Sequence, residues 1–232
     1  MRFIFLLGLL LLPVTLLAQA GKPEPGGEKR NQDPSLSPIT DTPGLPRVLL
    51  IGDSISMGYT VPLRELLAAK ANVHRIPQNG GSTFTGLDNL ARWIGDGKWD
   101  VIHFNWDLHD LKHWADNKLD DAGPVIATTE VYEKNLRELV EQLKATGAKL
   151  IWANTTPVPA GTVGRVAGDE KSYNAVAARV MKDAGIPTND LCAAVIANPK
   201  WQLKRNVHFT PEGSKALAEM VVVAITAQLP NE

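Results

Sequence analysis

Four times in succession along this chain, a short apolar run is followed by a segment of helical period. Residues 48–51 precede 62–70, 73–76 precede 87–94, 101–106 precede 131–144, and 150–154 precede 173–182. Runs of that length without polar interruption suit strands covered on both faces, and helices between them supply the cover. In the segment 131–144, Leu136, Leu139, Val140 and Leu143 fall at i, i+3, i+4 and i+7, one stripe facing a sheet. A last helix opens with Thr210 as N-cap and Pro211 at its first position, and turns Leu217, Met220, Val221, Ala224 and Ile225 inward. The pattern predicts an α/β domain with a parallel sheet between two helical layers, so a ligand site belongs at the carboxyl ends of the strands.

Composition narrows the function. Lys and Arg number 24 against 25 Asp and Glu, with no long basic block, which leaves no electrostatic footprint for a nucleic-acid partner. Residues 1–20 read as a cleaved secretory signal: Arg2, then an apolar stretch, then Ala18-Gln19-Ala20. The stretch falls short of the roughly 20 residues that span a bilayer, so no stable membrane anchor is expected and the mature protein is secreted or periplasmic. Residues 21–46 are rich in Pro and poor in large apolar side chains, which reads as a disordered linker. Residues 47–232 then form one domain. Cys192, the single cysteine, reads as a buried small hydrophobe.

Four segments at predicted strand ends carry the candidate chemistry. Gly52-Asp53-Ser54-Ile55-Ser56 puts Ser54 at the start of a helix, where it serves either as a cap or as a nucleophile beside backbone N–H groups. Asn79-Gly80-Gly81-Ser82 allows a tight turn, which either baring an N–H or merely turning the chain would explain. The third segment runs from His103 through Asn105, Trp106, Asp107 and His109 to Asp110, crowding donors and acceptors into one loop. His109 and His113 have the spacing of the zinc pattern H-E-x-x-H, but Asp110 stands where the longer Glu holds a water, and a third ligand is missing from the pattern. The fourth, Asn206-Val207-His208-Phe209-Thr210, sets His208 before a well-capped helix, as a base for a serine hydroxyl requires.

Taken in this order, the four segments resemble the blocks of the SGNH hydrolases, the GDSL esterases and lipases. Gly52-Asp53-Ser54-Ile55 is similar to the nucleophile block, Gly81 (or Gly80) to the Gly block, Asp107-Leu108-His109-Asp110 to the G-x-N-D block, and Val207-His208-Phe209-Thr210 to the His block. The resemblance implies a three-layer α/β/α, flavodoxin-like fold. It also implies hydrolysis of small acyl esters, acetyl among them, through an acyl-Ser intermediate, with no metal and no organic cofactor. Ser54 would be the nucleophile, His208 the acid and base, and the Ser54 and Gly81 N–H groups the oxyanion donors. His109 stands where the family carries its Asn donor, with Asn105 as a substitute donor.

Two further positions depart from the family. Asp107 replaces a Gly, and Arg205 replaces the Asp three residues before the His, so a Ser-His dyad is expected rather than a triad. Asp190 is a carboxylate that the fold can bring near the histidine. Trp106, Trp114 and Trp201, if they line the site, suit a carbohydrate ester. The alternative is a catalytically degraded binding protein that keeps the cleft without turnover.

Overall fold

The apolar runs pair as strands because each is buried on both faces, and the segments between them close as amphipathic helices. The computed structural model describes residues 33–230. Along the chain lie β1 (Arg47–Ile51), α1 (Ser54–Leu67), β2 (Asn72–Arg75), α2 (Thr83–Ile94), β3 (Val101–Phe104), β4 (Trp114–Ala115) and β5 (Lys118–Leu119). Then follow α3 (Thr129–Lys144), β6 (Lys149–Ala153), α4 (Glu170–Ala184), β7 (Thr188–Asn189), α5 (Leu191–Ala197) and α6 (Pro211–Thr226). The main sheet is parallel, in the order β2-β1-β3-β6-β7. With the small β4–β5 hairpin set aside, that is the flavodoxin-like order 2-1-3-4-5 expected from sequence, whose switch point lies between β1 and β3.

Packing against the sheet places α1 beside α6, and α3 between α2 and α4. Leu136, Leu139, Val140 and Leu143 of α3 are all buried, as their spacing predicts. In α6, Leu217, Val221 and Ile225 are buried and Met220 and Ala224 partly so. Thr210 caps this helix by accepting the Gly213 N–H at 3.0 Å.

Two sequence expectations need correction. The first helix begins at Ser54 rather than 62, with Pro62 inside it. Pro62 lacks the N–H that would meet the Gly58 carbonyl, yet Ile55, Tyr59, Leu63 and Leu67 bury one continuous stripe that holds the helix through the gap. The linker boundary at 46 lies too late. Residues 33–46 pack on the domain, where the Asn72 amide donates to the carbonyls of Thr42 and Leu45 and accepts the Thr42 N–H at 2.8 Å. Polar pairing, to which apolar composition is blind, orders this stretch. The signal-peptide reading of 1–20 and the linker reading of 21–32 lie outside the described residues. Finally, β4, β5, β7 and α5 carry too few residues to show a period in sequence.

The β1–α1 turn, where Ser54 sits, is held from below by Arg75. Its guanidinium donates to the carbonyls of Gly52 (2.8 Å), Asp53 (2.9 Å), Ile76 (3.1 Å) and Gln78 (2.8 Å), and to the Ser56 hydroxyl (2.7 Å). Burial pulls its pKa down to about 10, so it remains charged at neutral pH. Gly80 completes the support: its N–H donates to the Gly52 carbonyl at 2.9 Å, and a Cβ there would stand 2.8 Å from that oxygen. Only glycine lets the two loops meet so closely.

Just past β3, Asp107 is fully enclosed. The Thr155 hydroxyl lies beside its carboxyl, yet neither carboxyl oxygen makes a hydrogen bond among the described residues. Burial, reinforced by Asp110, Glu170 and Asp53, pushes its pKa well above 3.8 and so favours the neutral acid.

Two outcomes are expected. Arg75→Met strands the carbonyls of the turn without donors and should cost about 3 kcal/mol or more in chemical denaturation, with Arg75→Lys recovering only part. For Asp107, the folded chain holds a proton that the unfolded chain releases near pH 4, so its contribution is complete below that pH and is lost as pH rises through the folded value. Over that window stability should fall by about 1.4 kcal/mol per pH unit. The fall above pH 4 should be shallower in Asp107→Asn, and equal slopes in the two proteins would show that folding does not raise the Asp107 pKa.

Candidate functional site

Ser54 is the first residue of α1, with Asp53 as the N-cap whose carboxylate accepts the Ile55 N–H at 2.9 Å. Capping is thus done by Asp53, which leaves the Ser54 hydroxyl for other work. The Ser54 N–H, one of the donors a helix start leaves over, meets no acceptor among the described residues. Both groups stand at the carboxyl end of β1, beside the switch point.

His208 arrives from the other end of the chain. Its loop folds back on a 3-10 turn, Pro199–Trp201: the Leu203 N–H donates to the His208 carbonyl, and the Thr210 N–H to the Trp201 carbonyl, both at 2.9 Å. Gly213 lies so close to Trp201 that a Cβ would stand 2.3 Å from the Trp201 carbonyl oxygen. This anchorage brings His208 Nε2 to 2.9 Å from Ser54 Oγ, across 154 positions of sequence.

What orients the imidazole is Asn206. Its side-chain oxygen accepts the His208 backbone N–H at 3.0 Å and faces Nδ1 at 2.7 Å. A backbone N–H can only donate, so the amide must present its oxygen, and Nδ1 must then carry the ring proton. The neutral ring is left with its Nε2 lone pair toward the serine hydroxyl. Arg205 makes no hydrogen bond to the ring. It sits in the left-handed region at φ 54°, with its Nε lying 2.8 Å from where a Cβ of Gly161 would be. The expected bare Ser-His dyad is therefore extended by an Asn side chain two residues before the histidine. Asn206 carried no role in the sequence reading; the N-x-H spacing, which lets one oxygen reach both the backbone and the ring of His208, was the signal.

His109 shares with Ser54 and His208 a cavity of about 320 Å³. Its loop is tied down by Asp110, whose buried carboxylate accepts the Thr83 N–H at the start of α2 and the Thr83 hydroxyl at 2.5 Å. Lys112 Nζ lies 3.0 Å from His109 Nδ1. An ammonium has nothing but donors, so Nδ1 is the acceptor and the neutral ring carries its proton on Nε2. Burial, with Lys112 and Arg165 adding to it against the opposing field of Asp53, brings the His109 pKa down to about 4, so the ring is neutral at physiological pH.

The remaining expectations fare differently. Gly81 lies at φ 61°, which a glycine adopts freely, but its N–H donates to the Asn79 side-chain oxygen at 2.9 Å, and the Gly80 N–H is also taken, so neither is bared. Asn105 is turned away: its amide donates to the Ala153 carbonyl at 2.8 Å and the Thr155 hydroxyl at 3.2 Å, which ties β3 to β6 and leaves no free donor for the cavity. Asp190 caps α5 and binds Asn154, away from His208. His113 gives its nitrogens to the Gly123 carbonyl (2.7 Å) and Asp169 (3.2 Å), so it forms no pair with His109. Trp106 is a core residue packed against Phe104 and Gly86, and neither Trp114 nor Trp201 lines the cavity, so the tryptophans present no sugar platform there. Cys192 is partly rather than fully buried. Besides Asn206, sequence reading missed Arg75 and Arg165, which act through backbone carbonyls and so leave no motif.

Among the described residues no helix is long and apolar enough to cross a membrane. No curated protein matches the chain in sequence. Solved structures do match in fold. A lipase/acylhydrolase from Enterococcus faecalis superposes with a TM-score of 0.67 at 20% identity, over 81% of this chain and 99% of its own. An acetyl xylan esterase gives 0.65 at 16% identity, over 77% and 99% of the two chains. A GDSL-like lipase from Bacteroides thetaiotaomicron gives 0.62 at 18% identity, over 78% and 88%. Residues 50–216, a span that opens in β1 just ahead of Ser54 and closes in α6 just beyond His208, match the GDSL-like Lipase/Acylhydrolase family. With that match over residues 50–216, a Ser54–His208 contact inside it and a parallel sheet between helices like that of the solved structures, this chain belongs to the GDSL-like lipase/acylhydrolases, the SGNH hydrolases, and is a hydrolase of carboxylic ester bonds.

Proposed function

We propose that the protein is an exported serine esterase that removes small acyl groups, acetyl among them, with Ser54 as nucleophile and His208 as acid and base. The observation that carries this reading is the 2.9 Å contact between Ser54 Oγ and His208 Nε2, in a ring whose tautomer Asn206 fixes. As Oγ bonds to the ester carbonyl carbon, Nε2 takes the hydroxyl proton and the carbonyl oxygen becomes an oxyanion. The Ser54 N–H and the His109 Nε2–H receive that charge. Collapse of the intermediate breaks the bond to the alcohol oxygen, to which His208 returns the proton. Water then enters by the same route, giving its proton to His208 and its hydroxyl to the acyl carbon, and the acid product leaves with Ser54 restored.

Asn206 orients the imidazole without adding charge, as the Asn of a Cys-His-Asn site does. His109 stands in for the Asn donor of the family, and a neutral imidazole held as donor by Lys112 meets that requirement. The resemblance to an acetyl xylan esterase supports a carbohydrate as the alcohol portion, and the apolar stretch ahead of Ala18 and Ala20 supports export to the periplasm or medium.

A second reading, a binding protein without turnover, is favoured by one observation: the N–H groups of both Gly80 and Gly81 are already taken. A fluorophosphonate separates the two, because the esterase gains mass at Ser54 and the binding protein gains none. Ser54→Ala and His208→Ala should each abolish hydrolysis of an aryl acetate with the thermal midpoint unchanged. Removing one oxyanion donor by His109→Ala should lower kcat by about 10² to 10³, with His109→Asn recovering much of it. Asn206→Ala should lower kcat by about 10² or more, since the ring loses its tautomer and its orientation. Full activity in that variant would show that another group holds the ring.

A further inference from the structure

The lining of the Ser54–His208 cavity holds Lys112, Arg165 and Arg205 and no Asp or Glu, in a chain whose acids and bases nearly balance. None of the three makes a salt bridge among the described residues. Arg165 spends only its Nε, which donates to the Leu108 carbonyl at 3.0 Å, so the two terminal nitrogens of its guanidinium keep their donors. Arg205 makes no side-chain hydrogen bond, and it is held across Gly161 by a left-handed backbone that only a local constraint sustains. Lys112 is committed to His109. The carboxylate whose field reaches both Lys112 and Arg165 is Asp53, which is buried, stands outside the cavity lining and has its carboxylate bound to the Ile55 N–H; Asp107, also buried, is outside the lining too. Like charges crowd one another here: burial and Arg165 together lower the Lys112 pKa. A protein that collects unpaired cations beside a nucleophile leaves them a countercharge to find.

We infer that the ester cleaved here carries an anionic group, a carboxylate, sulfate or phosphate, which docks between the guanidinium groups of Arg165 and Arg205. Planar forked donors suit such oxyacid groups, and two of them leave room for a bidentate contact at each. The inference rests on the esterase reading for the bond that is broken, and on the cavity lining alone for the charge.

The test compares kcat/KM for 4-acetoxybenzoate with that for its neutral amide, 4-acetoxybenzamide. In a parallel arm, 4-nitrophenyl hydrogen succinate is compared with its neutral methyl ester. The first pair carries the charge on the alcohol portion and the second on the acyl portion. The anionic member of at least one pair should be favoured about tenfold or more at low ionic strength, and the preference should shrink as salt is added. Arg165→Met and Arg205→Met should each cut that ratio several-fold, and the double variant should abolish it. Equal losses on charged and neutral esters would mean that the cations serve the oxyanion rather than the substrate, and would overturn the inference. So would a wild-type enzyme that hydrolyses both members of each pair alike. Should Ser54 resist the fluorophosphonate, the esterase reading fails while this one stays open to measurement. Calorimetric titration would then show 4-hydroxybenzoate binding more tightly than 4-hydroxybenzamide, with the difference lost in the double variant, or show no difference and refute it.

Discussion

The buried guanidinium of Arg75 fixes the turn on which the rest depends. A tight passage from a parallel strand into a helix leaves carbonyls facing the wrong way for either ladder, and water is excluded there. One planar cation that donates to Gly52, Asp53, Ile76 and Gln78 satisfies them together and joins the ends of β1 and β2. Gly80 lets the second loop press against the first. Ser54 is thereby set on the first turn of α1 with its own N–H free, although no catalytic atom touches Arg75.

Two histidines of the site are the same side chain put to opposite uses by a single neighbour each. Asn206 presents an acceptor to Nδ1 of His208, so Nε2 of that ring is left to accept. Lys112 presents a donor to Nδ1 of His109, so Nε2 of that ring is left to donate. Which Nε2 accepts and which donates is thus set by the partner on the far nitrogen, not by the residue type.

Much of this was legible beforehand. Strand runs, the stripe of α3 and the Thr210-Pro211 cap are one-dimensional patterns, and each appears in the structure within a few residues. So do the positions of Ser54 and His208, because a residue at the end of a buried run is placed by the run. What escaped was set by contacts with no period. Asn72 orders residues 33–46 through its amide, Asn105 spends its donors on β6, and Arg75 acts through carbonyls common to every residue. Pro62 misled in the other direction, since a proline suited to opening a helix stands in the middle of one that burial sustains. Of the tryptophans weighed for the site, Trp106 filled the core rather than the cleft, while Trp114 stays exposed away from the cavity lining.

The pairing of α1 with α6 on one side of the sheet has a further consequence. The first helix of the domain brings the hydroxyl and the loop ahead of the last helix brings the imidazole, so 154 positions of a 232-residue chain separate them. A growing chain on the ribosome can pair its strands through β6 and still lack the meeting of Ser54 with His208. That contact waits for the loop ahead of α6, so the pocket around it is finished last.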